Sequence, residues 1–321
     1  MTRRRMILTA ASLAIGLPLL GAVIAEAVLR LRLGLGDPPL FRTDPELEYV
    51  MLPGRYRRFG NTISINAMHM RGPEVAPSPA PGEQRLLIIG DSVIHGGNQT
   101  DDTQTVSALL QRGLTQAGAP ATVLNVSCNS WGPGNQLAWV QRFGTLGAGR
   151  AVLVLNSWDY GDIRLHLPLS PETPATAPVP PFRALHEVLR NYGPRYAPAI
   201  FGKPWWGPGT LPFDEANPPE TAGRQSLDEL RQLVTLLRER GLVVAAVLHP
   251  FDRELAGPPE TGRPHLERTL AELNVPTFKA DDDLRAAIAA GQTPYRDAIH
   301  LTPQGNAVIA QVIARAAHAA R

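Results

Sequence analysis

The feature that most constrains the fold is an alternation of short apolar runs with amphipathic stretches from about residue 85 to the end of the chain. Five short apolar runs predict strands, and the first of them has the composition of a strand buried on both faces. They cover residues 86–89, 121–126, 151–155, 242–248 and 276–278. Helical spacing of apolar residues occurs over 103–117, 136–146, 225–240, 265–273 and 304–317. Strands that alternate with helices predict a mostly parallel sheet covered by helices on both faces, a three-layer α/β/α fold.

The amino terminus predicts a membrane anchor. Residues 3–5 are arginines, and an uncharged run over residues 6–25 follows them, which is about the length needed to cross a bilayer. Because positive charge stays in the cytoplasm, we expect the rest of the chain on the other side of the membrane. A cleaved signal peptide is the alternative, since Ala25-Glu26-Ala27 has the small-x-small form. Apolar character continues into Arg30-Leu31-Arg32, which favours a retained, single-pass anchor over residues 1–32.

The rest of the chain divides by composition. Residues 33–84 are rich in proline and predict an extended lead-in that packs on the main domain and ends in a linker. Residues 85–321 form the main domain. An insertion at about 163–222 interrupts the alternation; it is rich in proline and contains Trp205-Trp206, and we predict a substrate-facing insertion or cap.

Composition excludes several classes of function. Net charge is +2 over 321 residues, and the arginines at residues 3–5 supply more than all of it. The remainder therefore has no broad electropositive field, which argues against nucleic acid as a partner. Cys128 is the only cysteine, so an intrachain disulfide and a cysteine-rich metal site are both excluded.

Gly90-Asp91-Ser92 follows the first predicted strand directly. A serine at such a turn lies at the carboxyl edge of the sheet, where backbone N–H groups are presented. Its hydroxyl can attack a carbonyl if a base takes the proton, while its own N–H helps to hold the oxyanion. The tripeptide alone is equally typical of a helix-capping turn.

Asp297-Ala298-Ile299-His300 precedes the last predicted helix. A spacing of three residues lets the carboxylate orient the imidazole, whose far nitrogen can then reach a hydroxyl. The pair alone is also compatible with a helix cap or with metal binding. Together with Ser92, it predicts a nucleophile, a base and an orienting carboxylate.

In this order and at these places, the residues resemble the SGNH, or GDSL, hydrolase family, in which a serine follows the first strand and Asp-x-x-His precedes the last helix. The similarity covers residues 85–321, and the stretch from Ile299 to Gly305 is particularly close. Asn66-Ala67-Met68-His69-Met70-Arg71-Gly72 is similar to a lead-in of membrane-anchored bacterial members. The resemblance implies a flavodoxin-like fold with a five-stranded sheet, and neither a metal nor an organic cofactor. It also implies that Ser92 is the nucleophile, His300 the general acid/base and Asp297 the residue that orients His300.

The oxyanion hole departs from the family pattern, which has a glycine after the second strand and Gly-x-Asn-Asp after the third. Here Ser130 stands at the glycine position, with Gly132 as the alternative, and Trp158 replaces the asparagine. An indole N–H is a hydrogen-bond donor, so Trp158 is a predicted oxyanion donor beside Ser92 and Ser130 or Gly132. Three further residues are candidates for lining the pocket, with a structural role as the alternative for the two histidines: His95, Asn156 and His249.

The sequence thus predicts a serine esterase that deacylates, for example deacetylates, a carbohydrate or lipid-like ester. The resemblance places it in a bacterial inner membrane, with its catalytic domain on the periplasmic or extracellular side. Two alternatives stay open: an O-acyltransferase that modifies an exported polysaccharide, and a non-catalytic carbohydrate-binding relative.

Overall fold

The computed structural model describes residues 3–118, 120–169, 177–193, 214 and 216–319, apart from the side chains of residues 3, 4 and 6–11. A long helix begins the chain: α1 (Arg3–Leu33). Two antiparallel hairpins follow: β1 (Phe41–Asp44) with β2 (Glu48–Met51), and β3 (Gly54–Arg58) with β4 (Asn61–Ile65). The alternating part of the chain comprises β5 (Gln84–Gly90), α2 (Ser92–His95), α3 (Val106–Gln116), β6 (Ala121–Ser127), α4 (Pro133–Phe143), β7 (Arg150–Leu155), α5 (Ala184–Glu187), α6 (Glu220–Glu239), β8 (Val243–Leu248), α7 (Arg263–Glu272), β9 (Thr277–Lys279), α8 (Asp281–Ala289) and α9 (Pro303–Ala319).

The five predicted strands form one parallel sheet in the order β6-β5-β7-β8-β9. This confirms the predicted three-layer α/β/α fold, and the strand order is the flavodoxin-like one. The chain runs from β5 to β6 on one side and then crosses β5 to reach β7, so the direction of winding reverses between β5 and β7. In open parallel sheets, ligands bind at this switch point, beyond the carboxyl ends of the strands.

Helices cover both faces of the sheet because side chains alternate along each strand. On β5, Leu87 and Ile89 belong to the core shared with α4, α6 and α7. Leu86 and Ile88, one position removed, belong to the opposite core, which α2, α3, α8 and α9 complete. A strand buried on both faces has to read as an unbroken apolar run, and this one does.

The lead-in is folded rather than merely extended. Its two hairpins contribute Leu47, Val50 and Ile63 to the first of these cores, and the turn that follows β4 contributes Met70; each of these side chains is at most 1% exposed. The hairpins therefore act as part of the layer that covers one face of the sheet.

Local chemistry moves three helix boundaries from where the apolar spacing places them. Thr105 caps α3 through Oγ1, which accepts the Ala108 N–H at 3.2 Å, so the helix begins at Val106. Pro133 opens α4, because proline suits the first helical turn. From the sequence we also expect Asp281-Asp282-Asp283 to cap a helix that begins near Leu284; in the structure this acidic run forms the first turn of α8 itself. The charge of these aspartates favours the helix amino terminus.

Helix α1 contains an apolar window, Ser12–Leu33, with a mean hydropathy of 2.0, and none of its residues is buried within the protein. By length and composition it can cross a membrane. A signal sequence has the same properties, so both interpretations of the amino terminus are consistent with this helix.

Candidate active site

The first strand-to-helix turn places Ser92 at the carboxyl edge of the sheet, beside the switch point. Strand β5 ends at Gly90, Asp91 caps α2, and Ser92 is the first helical residue. Asp91 Oδ1 accepts a hydrogen bond from the Val93 N–H at 2.9 Å, which fixes the turn. A Cβ at position 90 would lie 2.9 Å from Ile94 Cγ1, so the turn requires glycine there.

The structure brings Ser92, His300 and Asp297 together. His300 Nε2 lies 3.0 Å from Ser92 Oγ, and His300 Nδ1 lies 2.9 Å from Asp297 Oδ2 and 3.0 Å from Oδ1. A carboxylate beside Nδ1 keeps the proton on that nitrogen, so Nε2 is the acceptor for the serine hydroxyl. The side chain of His300 is 30% exposed, which leaves the site open to substrate.

Asp297 is held as a carboxylate. Burial by itself would raise the pKa of Asp297, but hydrogen bonds from the His300 side chain and backbone, the charge of His300 and the Ile299 N–H outweigh it, so the pKa lies below the ordinary value. The two backbone bonds measure 2.8 Å from His300 N and 3.1 Å from Ile299 N to Oδ1. A negative charge at this point stabilises the imidazolium that forms when His300 accepts the serine proton.

Arg296 links the two halves of the triad. Its N–H donates to the His300 carbonyl at 2.9 Å, which closes the Asp–His loop. Its guanidinium donates to the Gly96 carbonyl at 3.1 Å and to Thr100 Oγ1 at 3.3 Å, on the loop that follows the nucleophile helix. One side chain thus ties the loop of the base to the loop of the nucleophile.

Arg71 binds the loop that follows the nucleophile helix α2. Its side chain is 1% exposed and donates to the carbonyls of His95 (2.8 Å), Gly97 (2.7 Å) and Thr100 (2.6 Å). Its Nε also pairs with Asp102 Oδ1 at 3.1 Å. Because the planar guanidinium presents several donors in fixed directions, it satisfies carbonyls that the sharp turn leaves without helical partners.

A buried polar layer lies under the nucleophile turn. Asn156, at the end of β7, donates from Nδ2 to Asp91 Oδ2 at 2.9 Å, and its N–H donates to Asp159 Oδ2 at 2.7 Å. Burial raises the pKa of Asp91, although the Val93 N–H, the charge of His300 and Asn156 oppose the rise. Burial and then the charge of Asp91 raise the pKa of Asp159 well above its ordinary value. Asp91 accepts hydrogen bonds at both carboxylate oxygens, from the Val93 N–H and from Asn156 Nδ2, so we expect the larger rise in pKa, and with it the proton of the pair, at Asp159.

The raised pKa of Asp159 predicts a pH-dependent stability. Such a group contributes full stability below its unfolded pKa of 3.8, and the contribution is lost as pH rises toward the folded pKa. Asp159→Asn keeps an oxygen to accept the Asn156 N–H but cannot ionise. We expect the variant to unfold at a higher temperature than wild type at pH 8, with the gap narrowing toward pH 4. For a domain of this size, each kcal/mol corresponds to about 2–4 °C in Tm.

Calorimetric scans from pH 4 to pH 8 measure this gap. Asp282→Asn is the matched control: the Asp282 side chain is 97% exposed and acts only on the first turn of α8 and on Arg285, so its removal should lower Tm slightly and by a similar amount from pH 5 to pH 8. A gap between Asp159→Asn and wild type that stays constant with pH would contradict the assignment of the proton to Asp159.

Of the two predicted backbone donors after β6, the structure favours Ser130. Ser130 has φ +50°, the left-handed region that favours glycine, which fits its alignment with the glycine of the family. Ser130 is exposed, and its N–H has no acceptor in the described part of the chain. Gly132 is buried, and its N–H donates to Asn135 Oδ1 at 3.2 Å. The Gly132 N–H is thus already engaged in the capping of α4, and the assignment of the donor after β6 to Ser130 or Gly132 stays a prediction.

Trp158 lies in a short 3₁₀ turn after β7, Ser157–Tyr160, with its ring centroid 4.6 Å from that of Phe251. Its backbone N–H donates to Asn156 Oδ1 at 2.9 Å. Its indole Nε1 is shielded from solvent and has no acceptor among the described residues. A buried donor without a partner costs about 1–3 kcal/mol. The indole N–H is therefore free to donate to a bound ligand, and such a hydrogen bond would recover that cost. Its role as an oxyanion donor stays a prediction.

Replacing Trp158 by phenylalanine tests that role. We expect Trp158→Phe to lower kcat by about 10²–10³-fold, the usual cost of one lost oxyanion donor, while the ring contact with Phe251 is kept. Trp139→Phe, on α4, is the control, because it also deletes an indole N–H. That N–H donates to the Met68 carbonyl at 2.9 Å and not to a triad residue, so kcat should stay near the wild-type value. An unchanged kcat in Trp158→Phe would remove Trp158 from the oxyanion hole.

The three predicted pocket-lining residues lie beneath the site rather than on its surface. His95 and His249 are 1% and 2% exposed, and Asn156 is 4% exposed with its amide engaged on both sides. Burial lowers the pKa of both histidines, that of His249 to about 4, so both are neutral. His249 Nε2 donates to the Ile299 carbonyl at 2.8 Å and thereby supports the loop that holds His300.

The residues that sequence reasoning missed are those that support the triad. Arg296 directly precedes Asp297, and Arg71 lies within the lead-in stretch that resembles the family, so both had a positional signal. Asp159 stands where the family has an aspartate, but the residues alone give no reason to expect a buried proton there. Within the described ranges, no group of three or more His, Cys, Asp or Glu side chains is arranged to hold a metal ion.

A serine, a histidine and an aspartate linked in series at the carboxyl edge of a parallel sheet define an α/β protein with the site of a serine hydrolase. No family model matches the chain, and no curated protein does. Among solved structures, it is similar to an acetyl xylan esterase (TM-score 0.44, 12% identity, 72% of this chain and 98% of the other). It is also similar to a two-domain esterase active on acetylated mannans (TM-score 0.46, 12% identity, 75% and 50%). A member of the lipolytic G-D-S-L family from Veillonella parvula matches too (TM-score 0.43, 10% identity, 72% and 97%).

Proposed function

We propose that the protein is a serine ester hydrolase that works through an acyl-enzyme on Ser92. The observation that carries the proposal is the continuous path from Ser92 Oγ through both nitrogens of His300 to Asp297, with each step at 2.9–3.0 Å. Three residues from two distant parts of the chain meet at hydrogen-bonding distances in the order that nucleophilic catalysis requires. A helix cap or a metal site, the alternatives for the separate motifs, does not need that order.

In the first half-reaction, Ser92 Oγ attacks the ester carbonyl while His300 Nε2 takes the hydroxyl proton. The carbonyl π electrons move onto oxygen, and the resulting oxyanion accepts hydrogen bonds from the N–H groups of Ser92 and Ser130 and from Trp158 Nε1. The bond to the alcohol then breaks, and His300 returns the proton to the leaving oxygen. Asp297 keeps the imidazole oriented throughout and stabilises its charged form.

In the second half-reaction, His300 takes a proton from water, and the hydroxide attacks the acyl carbon. Collapse of the second tetrahedral intermediate breaks the bond to Ser92 Oγ, which recovers its proton from His300. The products are one alcohol and one carboxylic acid, and the protein is unchanged. An acceptor hydroxyl that enters in place of water turns the same steps into acyl transfer.

The substrate we propose is an acylated, for example acetylated, carbohydrate or lipid-like ester outside the cytoplasm. Helix α1 and the basic residues that precede its apolar window support that location, because positive charge stays on the cytoplasmic side. The described part of the predicted insertion, 163–169 and 177–193, contacts α1 and the lead-in hairpins through the bonds of Ala184, Glu187 and Leu165. Trp205 and Trp206 lie outside the described residues.

Mass spectrometry of the full-length chain with 4-nitrophenyl acetate tests the proposal. We expect a mass increase of one acetyl group on the peptide that contains Ser92, a burst of nitrophenol, and steady release of acetate. Adding an acetyl-free polysaccharide separates the two outcomes of the acyl-enzyme: acetate released into water indicates hydrolysis, and acetyl on the polysaccharide indicates transfer. Absence of an acylated peptide, together with an unchanged rate in His300→Ala, would contradict both.

A further inference from the structure

Residues 177–193, here called the shoulder, are bound to the membrane-proximal end of α1. The N–H groups of Ala184 and Leu185, at the start of α5, donate to the Glu26 carboxylate at 3.0 and 2.9 Å. Arg30 Nε donates to the same carboxylate at 2.6 Å. The charge of Glu26 thus meets the positive end of a helical turn, which ties the shoulder to one level along α1.

The other side of the shoulder is bound to the lead-in hairpins. Glu187 accepts the Gly36 N–H at 2.6 Å and forms an ion pair with Arg58, whose side chains are only 2% and 3% exposed. The Ala177 carbonyl accepts the Phe41 N–H at 3.0 Å. Breaking a buried pair of this kind is strongly unfavourable, so the shoulder is a fixed part of the domain.

Helix α1 is joined to the same hairpins without a flexible connection. The Phe59 N–H donates to the Leu33 carbonyl at 2.8 Å, and Arg58 Nη1 donates to the Gly34 carbonyl at 2.7 Å, just beyond the end of the helix. Helix, hairpins and shoulder therefore form one unit, and the direction of α1 sets the orientation of the domain.

The shoulder exposes three apolar side chains that pack against no other element in the described part of the chain. Phe182 is 79% exposed, Val179 51% and Leu189 50%, and the Arg183 guanidinium lies 5.1 Å from the Phe182 ring centroid. Single exposed apolar residues are ordinary on a protein surface. Here three exposed apolar residues lie on one short segment, together with arginine, and the segment is bound to a helix that can span a membrane. This composition is typical of a contact with the membrane interface.

The level of the shoulder along α1 agrees with that composition. The uncharged run over residues 6–25 measures about 30 Å as a helix, the thickness of the hydrocarbon core. Glu26, Arg30 and Arg32 lie in the carboxyl-terminal part of the apolar window Ser12–Leu33, and charged residues favour the headgroup layer over hydrocarbon. With residues 6–25 in the hydrocarbon, the shoulder meets α1 where hydrocarbon gives way to headgroups. The headgroup layer on each side is about 5–7 Å deep, so residues bound to α1 at Glu26 lie at or next to it.

We propose that the shoulder lies on the bilayer that α1 crosses, with Phe182, Val179 and Leu189 inserted among the lipid headgroups. The partner is the lipid surface itself. The contact holds the folded domain against the membrane in one orientation, and it is independent of the chemistry at Ser92.

Site-directed spin labelling of the full-length protein in vesicles of neutral and anionic phospholipid tests this contact. Cys128, the native cysteine, is buried and its thiol pKa is raised by that burial, so added cysteines take the label selectively. The test positions are Phe182→Cys and Leu189→Cys. Leu20→Cys, on an exposed position of α1, reports the hydrocarbon, and Ile288→Cys, 47% exposed on α8, reports water.

We expect the labels at 182 and 189 to collide with oxygen several-fold more, relative to a water-soluble nickel complex, than the label at 288 does. The label at 20 should show the highest ratio. If 182 and 189 match 288 while 20 lies in lipid, the anchor stands and the shoulder proposal is overturned. A water-exposed label at 20 overturns it as well, because no bilayer would then adjoin the shoulder. Hydrolysis of 4-nitrophenyl acetate by each labelled variant, at the wild-type rate, checks the fold without bearing on the contact.

Discussion

Ser92→Ala is expected to lower ester-hydrolysis turnover by about 10⁴–10⁶-fold, the range found when a triad nucleophile is removed. The reason is specific to this geometry: without Oγ, the atom 3.0 Å from His300 Nε2 is gone and no acyl-enzyme can form. The residual rate should come from the oxyanion donors and from water activated by His300. Folding should be little affected, because Ser92 Oγ has no hydrogen bond in the described structure other than the one to His300.

The measurement is kcat with 4-nitrophenyl acetate, together with labelling by a fluorophosphonate, which reacts with activated serines. Ser130→Ala is the matched control, since it deletes an exposed hydroxyl at the same edge of the sheet but keeps the backbone N–H. Wild-type labelling and a rate within tenfold are expected for that variant. A Ser92→Ala protein that still labels, or that keeps more than a tenth of the wild-type rate, would contradict the assignment of the nucleophile.

The central sheet and the triad are predictable because their signals are local. A strand buried on both faces must be apolar at every position, and Leu86 to Ile89 satisfy this. The carboxyl edge of such a sheet is the place where Ser92 becomes accessible, and the spacing of Asp297 and His300 encodes their mutual hydrogen bond. Each of these inferences needs only a few neighbouring residues and one rule of geometry.

The supports of the triad could not be predicted, because they are contacts between segments far apart in the sequence. Arg71 serves the loop after Ser92 from a lead-in that has no periodic pattern of its own. Arg296 reaches that loop across about two hundred residues of chain. The same reason applies at Gly132: whether its N–H is available depends on the side chain of Asn135, which no backbone pattern reveals. The shoulder is a further example, since its partner Glu26 lies in a segment whose sequence indicates only a membrane anchor or a signal peptide.

Asp297→Asn should lower kcat by about 10³–10⁴-fold with little loss of stability. Asparagine keeps one oxygen to accept the N–H groups of Ile299 and His300, so the loop should retain its shape. The other end of the side chain becomes an amide NH₂, which donates to His300 Nδ1 and drives the imidazole proton onto Nε2. His300 Nε2 is then a donor toward Ser92 Oγ and cannot take its proton. The variant is therefore expected to keep the geometry of the triad but to hold His300 in the tautomer that cannot act as the base.

Three measurements distinguish this from a structural effect. The Tm of Asp297→Asn should stay near that of wild type. Asp252→Asn is the nearby control, because the Asp252 backbone N–H donates to the Ala298 carbonyl, while the one hydrogen bond that its carboxylate accepts among the described residues comes from the Arg253 N–H. Its kcat should be unchanged. Combining Asp297→Asn with Ser92→Ala should be no slower than Ser92→Ala alone, since residues that act as one unit fail together. If the two losses multiply instead, Asp297 acts on the rate by a route other than His300 and Ser92.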